Sequence, residues 1–265
     1  MLYIDAANAG VSGDMFIAAL LDMGADKGKI DVVLKPISGV LGEYKIIVEK
    51  TRRGVYSATK YRFKFTDSHI SYLESKKAIG NSGLSDAARE FALACFETLA
   101  DAESRVHGVK KEDLHMHDVA DTITDFVVTA ALLDDLSLIG KQVVSSPVNT
   151  GKGFFTFHGQ RSTLPAPATA EILKGKPIFG NQDMELTTPT GASILVNLAE
   201  DFTDEFAKIN VERIGYGAGQ RDMDFPNVLK LYLGADSGKK YCTDAVTLLE
   251  TNIDTATGET IGFLF

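Results

Sequence analysis

Leu2–Gly24 reads LYIDAANAGVSGDMFIAALLDMG, which is a strand, a loop and a helix in that order. Leu2–Asp5 is a short apolar run, expected as a buried strand. The loop AANAGVSGDM follows. An apolar helix then runs from about Asp14 to Met23, and Gly24 supplies the left-handed residue that ends it. Outward from this junction the two kinds of element stay mixed. A second helix is expected over Lys27–Ile37, with Pro36 near its end. Tyr44–Glu49 and Tyr61–Phe65 alternate as strands do, with Arg52-Arg53-Gly54 as the turn between them. A short helix is expected over Asp67–Lys77, broken at Asn81-Ser82-Gly83. Ser85–Val106 is the longest helical stretch, with Phe91, Cys95, Thr98, Leu99 and Ala102 on one face and Gly108 at its end. Asp121–Leu136 is a further helix and Gln142–Ser146 a strand.

The chain then becomes rich in turns: NTGKGFF, PAPAT, TTPTGA and GYGAG. Pro167 and Pro189 each suit a first helical position. Phe206–Ile214, Asn227–Leu233 and Thr243–Asn252 read as strands. Without a regular strand–helix–strand rhythm, the expected class is α+β, with an irregular α/β arrangement as the variant. The length suits one large domain or two small ones, with candidate boundaries near Ser82 and between Ile139 and Gln142 (near 140).

The 265 residues are 45% hydrophobic and 24% charged, the balance of a folded globular chain. A formal net charge of -9 argues against a nucleic-acid partner, because phosphate backbones demand Lys and Arg. The acidic balance is compatible with a cation and also simply keeps a protein soluble. Cys95 sits in the apolar run FALACF and Cys242 follows a polar turn, so no disulfide framework is expected. No signal peptide and no membrane-spanning run is expected, which together point to the cytoplasm. A homo-oligomer is compatible with all of this.

The chemistry concentrates at His115-Met116-His117-Asp118, followed by Asp121 and Asp125. In extended chain, residues two apart share a face, so His115 and His117 can converge on one ion. Asp121 and Asp125, four apart, share a helix face. Imidazole with carboxylate suits Ni, Zn, Fe or Mn. The bland account is that Asp118 caps a helix and Asp121 favours its dipole.

At the first junction, Ser12, Gly13 and Asp14 open a helix whose backbone N–H groups can hold an anion. There Asp14 either caps the helix or binds a metal that bridges to a phosphate. Thr188 and Thr190 in TTPTGA can recognise phosphate or carboxylate, or Thr188 can simply be an N-cap. GYGAGQRD is not a dinucleotide fingerprint, because a strand rather than a helix follows it. Arg221 can meet an anionic ligand or form an ion pair with Asp222, and His158 is a further candidate polar group.

Taken as an ordered set, SGDM, HMHDV with DTITD, SPVNTGKGF, LPAPATAEIL, ELTTPTGA, IGYGAGQRD, PNVLK and LETNID resemble one family across essentially the whole chain. It is the nickel-insertion proteins (cyclometallases) that complete the nickel-pincer cofactor of lactate racemase. The resemblance implies insertion of Ni²⁺ into pyridinium-3,5-bisthiocarboxylic acid mononucleotide, with CTP consumed and Mg²⁺ or Mn²⁺ assisting. It implies that His115, His117, Asp118, Asp121, Asp125 and Asp14 handle metal. Ser12, Gly13, His158, Thr188, Thr190 and Arg221 are the candidate substrate-binding residues.

Three departures stand out. Asp118 occupies a position where the family usually has Glu. The loop between Val119 and Asp121 is shorter than usual. After LETNID, Thr255 replaces a second aspartate, and the sequence given ends at Phe265, where the family normally continues into a C-terminal domain associated with CTP. The expectation is therefore the N-terminal region of such a protein, with the CTP site in a C-terminal domain that could act in trans. Two other readings are a metal-dependent hydrolase using the His-x-His/Asp site and a non-catalytic scaffold half. If the cluster holds metal, His117→Ala weakens Ni²⁺ binding at least about tenfold, ~1.4 kcal/mol; an unchanged calorimetric titration would remove the site.

Overall fold

A computed structural model describes residues 1–66, 70–114, 118–157 and 160–237, without the side chains of Phe157 and Gln160. His115, His117, His158, Cys242 and the strand expected over Thr243–Asn252 lie outside the described residues.

In chain order the elements are β1 (Leu2–Asp5), α1 (Gly13–Met23), α2 (Gly28–Leu34), α3 (Ser38–Leu41), β2 (Tyr44–Arg53), β3 (Tyr56–Phe65), α4 (Tyr72–Asn81), α5 (Asp86–His107) and α6 (Val119–Asp135). Then come β4 (Val143–Ser145), β5 (Val148–Asn149), β6 (Phe154–Phe157), β7 (Gln160–Thr163), α7 (Pro167–Ile172), β8 (Ile178–Phe179), α8 (Pro189–Leu198), β9 (Asp201–Phe202), β10 (Ile209–Ala218) and β11 (Val228–Asp236). The fold is α+β. A seven-stranded mixed sheet has the order β2-β3-β10-β11-β1-β4-β9. β2/β3, β10/β11 and β11/β1 pair antiparallel. β3/β10, β1/β4 and β4/β9 pair parallel. Two two-stranded ladders, β5/β8 and β6/β7, stand apart.

Local chemistry explains most of the element ends. Gly24, at φ 112°, closes α1 as expected. Pro36 has no N–H to continue a ladder, so the second helix stops at Leu34, passes through a 3₁₀ turn at Lys35–Ile37 and restarts as α3. Ser85 caps α5 through its side chain, and Gly108, at φ 67°, ends it. Pro167 and Pro189 both sit in the first turn of their helices. The turn between β2 and β3 is Gly54-Val55, with Arg52 and Arg53 inside β2 rather than in the turn. Arg53 pairs with Tyr56 in the β2/β3 ladder and forms an ion pair with Asp222 at 2.9 Å.

One expectation fails outright. GYGAG is not a turn but the end of β10. The reason lies in the helix above it, because α1 packs directly on β10, β3 and β11. A Cβ on Gly215 would stand 2.1 Å from the Ala19 carbonyl oxygen, and one on Gly217 would stand 2.0 Å from that of Met15. The glycines are strand residues whose missing side chains let a helix rest on the sheet backbone. α6 packs on α1 and α2, and α5 packs on α6, α7 and α8. α6 is apolar nearly all round and buried from Thr122 to Leu133, as a central helix must be. One buried cluster draws on residues from Leu2 to Leu231, Cys95 among them, and so spans both candidate boundaries. Among the described residues, no helix is long and apolar enough to cross a membrane.

Gly217→Ala should destabilise the fold by about 1–3 kcal/mol, because α1 must lift from the sheet. Gly80→Ala, in α4 with nothing within 4 Å of the new methyl, should instead stabilise by up to ~1 kcal/mol. Urea denaturation of the two variants checks both signs.

Candidate functional site

A cleft of about 840 Å³ opens between the start of α1, the end of β3, the first turns of α6 and the start of α8. Of the residues expected from sequence, it gathers Ser12, Gly13, Asp14, Asp118, Asp121, Asp125, Thr188 and Thr190. Arg221 does not line it. That side chain is exposed, its charge is felt at Glu185, and Asp222 pairs with Arg53 instead.

The SGD motif at the head of α1 has one job per residue. Ser12 occupies the N-cap position but makes no side-chain cap bond; its hydroxyl donates to Asp14 Oδ1. Asp14 Oδ2 also accepts from Gln220 Nε2 at 2.5 Å, and that amide donates to the Tyr61 carbonyl at 2.7 Å. Gly13 leaves room for Asp125, since a Cβ there would stand 2.0 Å from Asp125 Oδ2.

Asp125 belongs to α6 and is only 5% exposed. Its Oδ1 has no hydrogen-bond partner. A buried carboxylate oxygen left unpaired is costly, and native proteins place one where something else satisfies it. Asp121 lies one turn earlier on the same face. Asp118 takes the N-cap position of α6 at φ 50°, left-handed, and its side chain makes no cap bond. Caps normally have extended backbone and use their side chain on the helix amides, so the bland account of Asp118 does not hold.

Burial and mutual repulsion push these carboxyls upward. Asp121 rises to about 7, through burial first and then the charges of Asp14 and Asp118. Asp125 rises well above the usual range through burial, Asp121 and Asp14. Asp14 rises through burial, opposed by its bonds to Ser12 and Gln220. A divalent cation would relieve all three. Among the described residues, no three His, Cys, Asp or Glu side chains form a ready-made coordination cage. An ion here would draw further donors from elsewhere.

The TTPTGA hydroxyls divide by role. Thr187 is fully buried and donates to the Asn149 carbonyl at 2.8 Å. The Thr188 oxygen caps α8, accepting from Gly191 N at 3.2 Å, so the bland account holds for that contact. Thr190 faces the cleft. Asn149, in SPVNTGKGF, donates to the Ala7 and Asn8 carbonyls and to Asn181, which fixes the loop leading into SGD.

Sequence reasoning missed β3 and Gln220. Tyr61, Arg62, Phe63, Lys64 and Phe65 all border the cleft. YRFKF had signalled only a strand; its alternating cations were the available clue to an anionic ligand. His107, from α5, also reaches the rim and pairs with Glu103 at 3.3 Å.

A family model described as nickel insertion protein matches residues 2–265. The chain belongs to the nickel insertion protein family. It is 38% identical over 283 residues to the pyridinium-3,5-bisthiocarboxylic acid mononucleotide nickel insertion protein of Thermotoga sp. (strain RQ2), covering 100% of this chain and 68% of the relative. Proteins of the same name from Thermotoga petrophila and Clostridium kluyveri are 38% and 35% identical, covering 100% and 96% of this chain and 67% and 66% of theirs. The chain spans about two thirds of the length of the curated relatives it matches, from 65 to 68%. No solved structure matches it. In this chain the acidic floor of the cleft is formed by residues of the SGDM and DTITD motifs.

Asp121 binds more protons folded than unfolded between its ordinary pKa of 3.8 and about 7. Stability from this group is therefore lost as pH rises through that window. Asp121→Asn should be more stable than the parent at pH 8 by about 1–3 kcal/mol, a Tm rise of about 2–4 °C per kcal/mol, and no more stable at pH 4. Saturating Ni²⁺ or Mn²⁺ should raise the parent's Tm more than the variant's. Melting curves at the two pH values, with and without metal, test this.

Proposed function

We propose that this chain carries out, or forms the N-terminal part of a protein that carries out, nickel insertion into pyridinium-3,5-bisthiocarboxylic acid mononucleotide. The observation that carries the reading is the unpartnered, buried Oδ1 of Asp125 facing Asp121 and Asp14 in a cleft of mononucleotide size. Nickel is cargo here. The acidic floor holds Ni²⁺ through oxygen donors, and the sulfur atoms of the substrate are softer ligands that draw it away. Two sulfur–nickel bonds and one carbon–nickel bond form. The carbon–nickel bond replaces a ring C–H, and the displaced proton goes to a carboxylate of the floor, whose raised affinity for protons suits it to accept one.

His115 and His117, which precede Asp118 in sequence, complete the metal set in this reading. Thr190 and the cations Arg62 and Lys64 serve the phosphate end, with Ser12 and Thr188 framing the cleft. CTP consumption is part of the same proposal, with its nucleotide site in the C-terminal region of the longer relatives. The carboxylates Asp14, Asp121 and Asp125, together with oxygens of the nucleotide itself, would also suit the Mg²⁺ or Mn²⁺ that a nucleotide brings, a hard cation that neutralises anionic charge.

The test is an insertion assay, following nickel incorporated into the mononucleotide, with the chain alone and with the C-terminal third of a relative supplied in trans. Asp125→Asn should lower incorporation at least about tenfold, while leaving the melting temperature equal or higher. Incorporation unchanged in that variant would rule out the acidic floor. Turnover of phosphate-ester or amide substrates with Mn²⁺, without incorporation, would favour the hydrolase reading.

A further inference from the structure

β3 pairs with β10 only at Thr59 and Lys60, and from Tyr61 onward it borders the cleft. Tyr61, Phe63 and Phe65 alternate along the strand and so share one face. The Phe63 and Phe65 rings stack with centroids 5.3 Å apart and planes 21° from parallel. The Tyr44 ring extends the row, 5.4 Å from Phe63. At the inner end, Tyr61 is completely buried, yet its hydroxyl has no hydrogen-bond partner. It lies close enough to Asp125, Asp121 and Asp14 to feel their charges, but it bonds to none of them, and Asp125 Oδ1 is likewise unpaired. Both residues border the same cleft, and each buries a polar atom without a partner, one a donor and one an acceptor. A bound ligand that offers an anionic acceptor to the phenol and a cation to the carboxylate satisfies both.

We propose that the Tyr61–Phe63–Phe65 face of β3 is the wall that reads the ring of the substrate, with the Tyr61 hydroxyl donating to a thiocarboxylate and the Phe63 ring stacked on the pyridinium. This rests on the insertion reading of the same cleft. An electron-poor, positively charged ring is attracted to the face of an aromatic side chain, and stacking on a row already ordered by packing loses little conformational freedom. The phenol is a donor at neutral pH. Its contact turns the sulfur-bearing edge of the ring toward Asp121 and Asp125, where the ion is held. Tyr61 thereby selects for a ring that carries an acidic substituent, and Phe63 selects for the ring itself.

The test is calorimetry on the full chain with three probes: Ni²⁺ alone, a pyridinium-3-carboxylate mononucleotide, and ribose 5-phosphate. Tyr61→Phe should weaken the pyridinium probe about tenfold while the melting temperature stays level or rises, because the variant removes an unsatisfied group. Phe63→Leu should weaken the pyridinium probe and leave ribose 5-phosphate unchanged. If both variants bind the pyridinium probe as the parent does, while Ni²⁺ binding persists, the wall is wrong and the acidic floor stands. A fall of several degrees in the melting temperature of Tyr61→Phe with unchanged affinity would make the hydroxyl structural and also overturn the proposal. If the parent binds neither Ni²⁺ nor the pyridinium probe, the insertion reading falls and takes this one with it.

Discussion

Gly215 and Gly217 let helix α1 rest on β10 backbone against backbone, and the rest of the cleft is placed relative to that helix. With α1 held so low on the sheet, its first turn comes level with the end of β3. Ser12, Gly13 and Asp14 then project beside Tyr61 and Gln220 instead of above them. α6 packs on α1 from the other side and delivers Asp121 and Asp125 to the same point. The start of α8 closes the ring, anchored by the backbone bond from Thr188 N to the Val11 carbonyl at 3.0 Å. A helix standing further off the sheet would separate these four elements and leave a shallow surface.

The electrostatics of the site run against the stability of the fold. Three carboxyl groups gather at the cleft, Asp125 buried and Asp14 and Asp121 half-buried; the charge of Asp14 raises the proton affinity of the other two, and that of Asp121 raises the affinity of Asp125. Such an arrangement persists only because the surrounding packing is over-determined. α6 is buried along most of its length, and α1 is locked to the sheet, so neither can turn its charges outward. The strain is thus held by apolar contacts remote from the chemistry. The proposed metal cargo would suit this balance, since hard carboxylate ligands can collect an ion that softer sulfur then outcompetes them for.

Much of the fold could be read in the sequence because its signals are local. Gly24 and Gly108 end helices, Ser85 begins one, and the prolines at 167 and 189 mark first turns, all through chemistry within a few residues. Spacing brought Asp118, Asp121 and Asp125 together, and Ser12, Gly13, Asp14, Thr188 and Thr190 were legible as chemically competent motifs, although nothing in the sequence said that these separate motifs would meet. What escaped was set by distant partners. GYGAG looks like a turn until the helix lying on it is known, since the demand for glycine comes from Met15 and Ala19, some two hundred positions away. Tyr61 and Phe63 look like ordinary core on an alternating strand. Their place at the cleft depends on the β10 pairing ending at Lys60, a feature that the sequence of β3 does not carry. Arg221 was a candidate for its charge beside Asp222, an anionic contact or an ion pair; the chain after β10 leaves its side chain exposed and outside the cleft lining.

The contact between Gly13 and Asp125 makes two remote positions behave as one unit of inheritance. A Cβ at 13 would meet Oδ2, Cγ and Cβ of Asp125 at 2.0, 2.4 and 2.7 Å, so even alanine at 125 would leave no room for a side chain there. Position 13 cannot drift while 125 keeps a Cβ, although 112 positions separate them in the chain (125 − 13 = 112). The pair thus couples the head of α1 to α6 in sequence as well as in space.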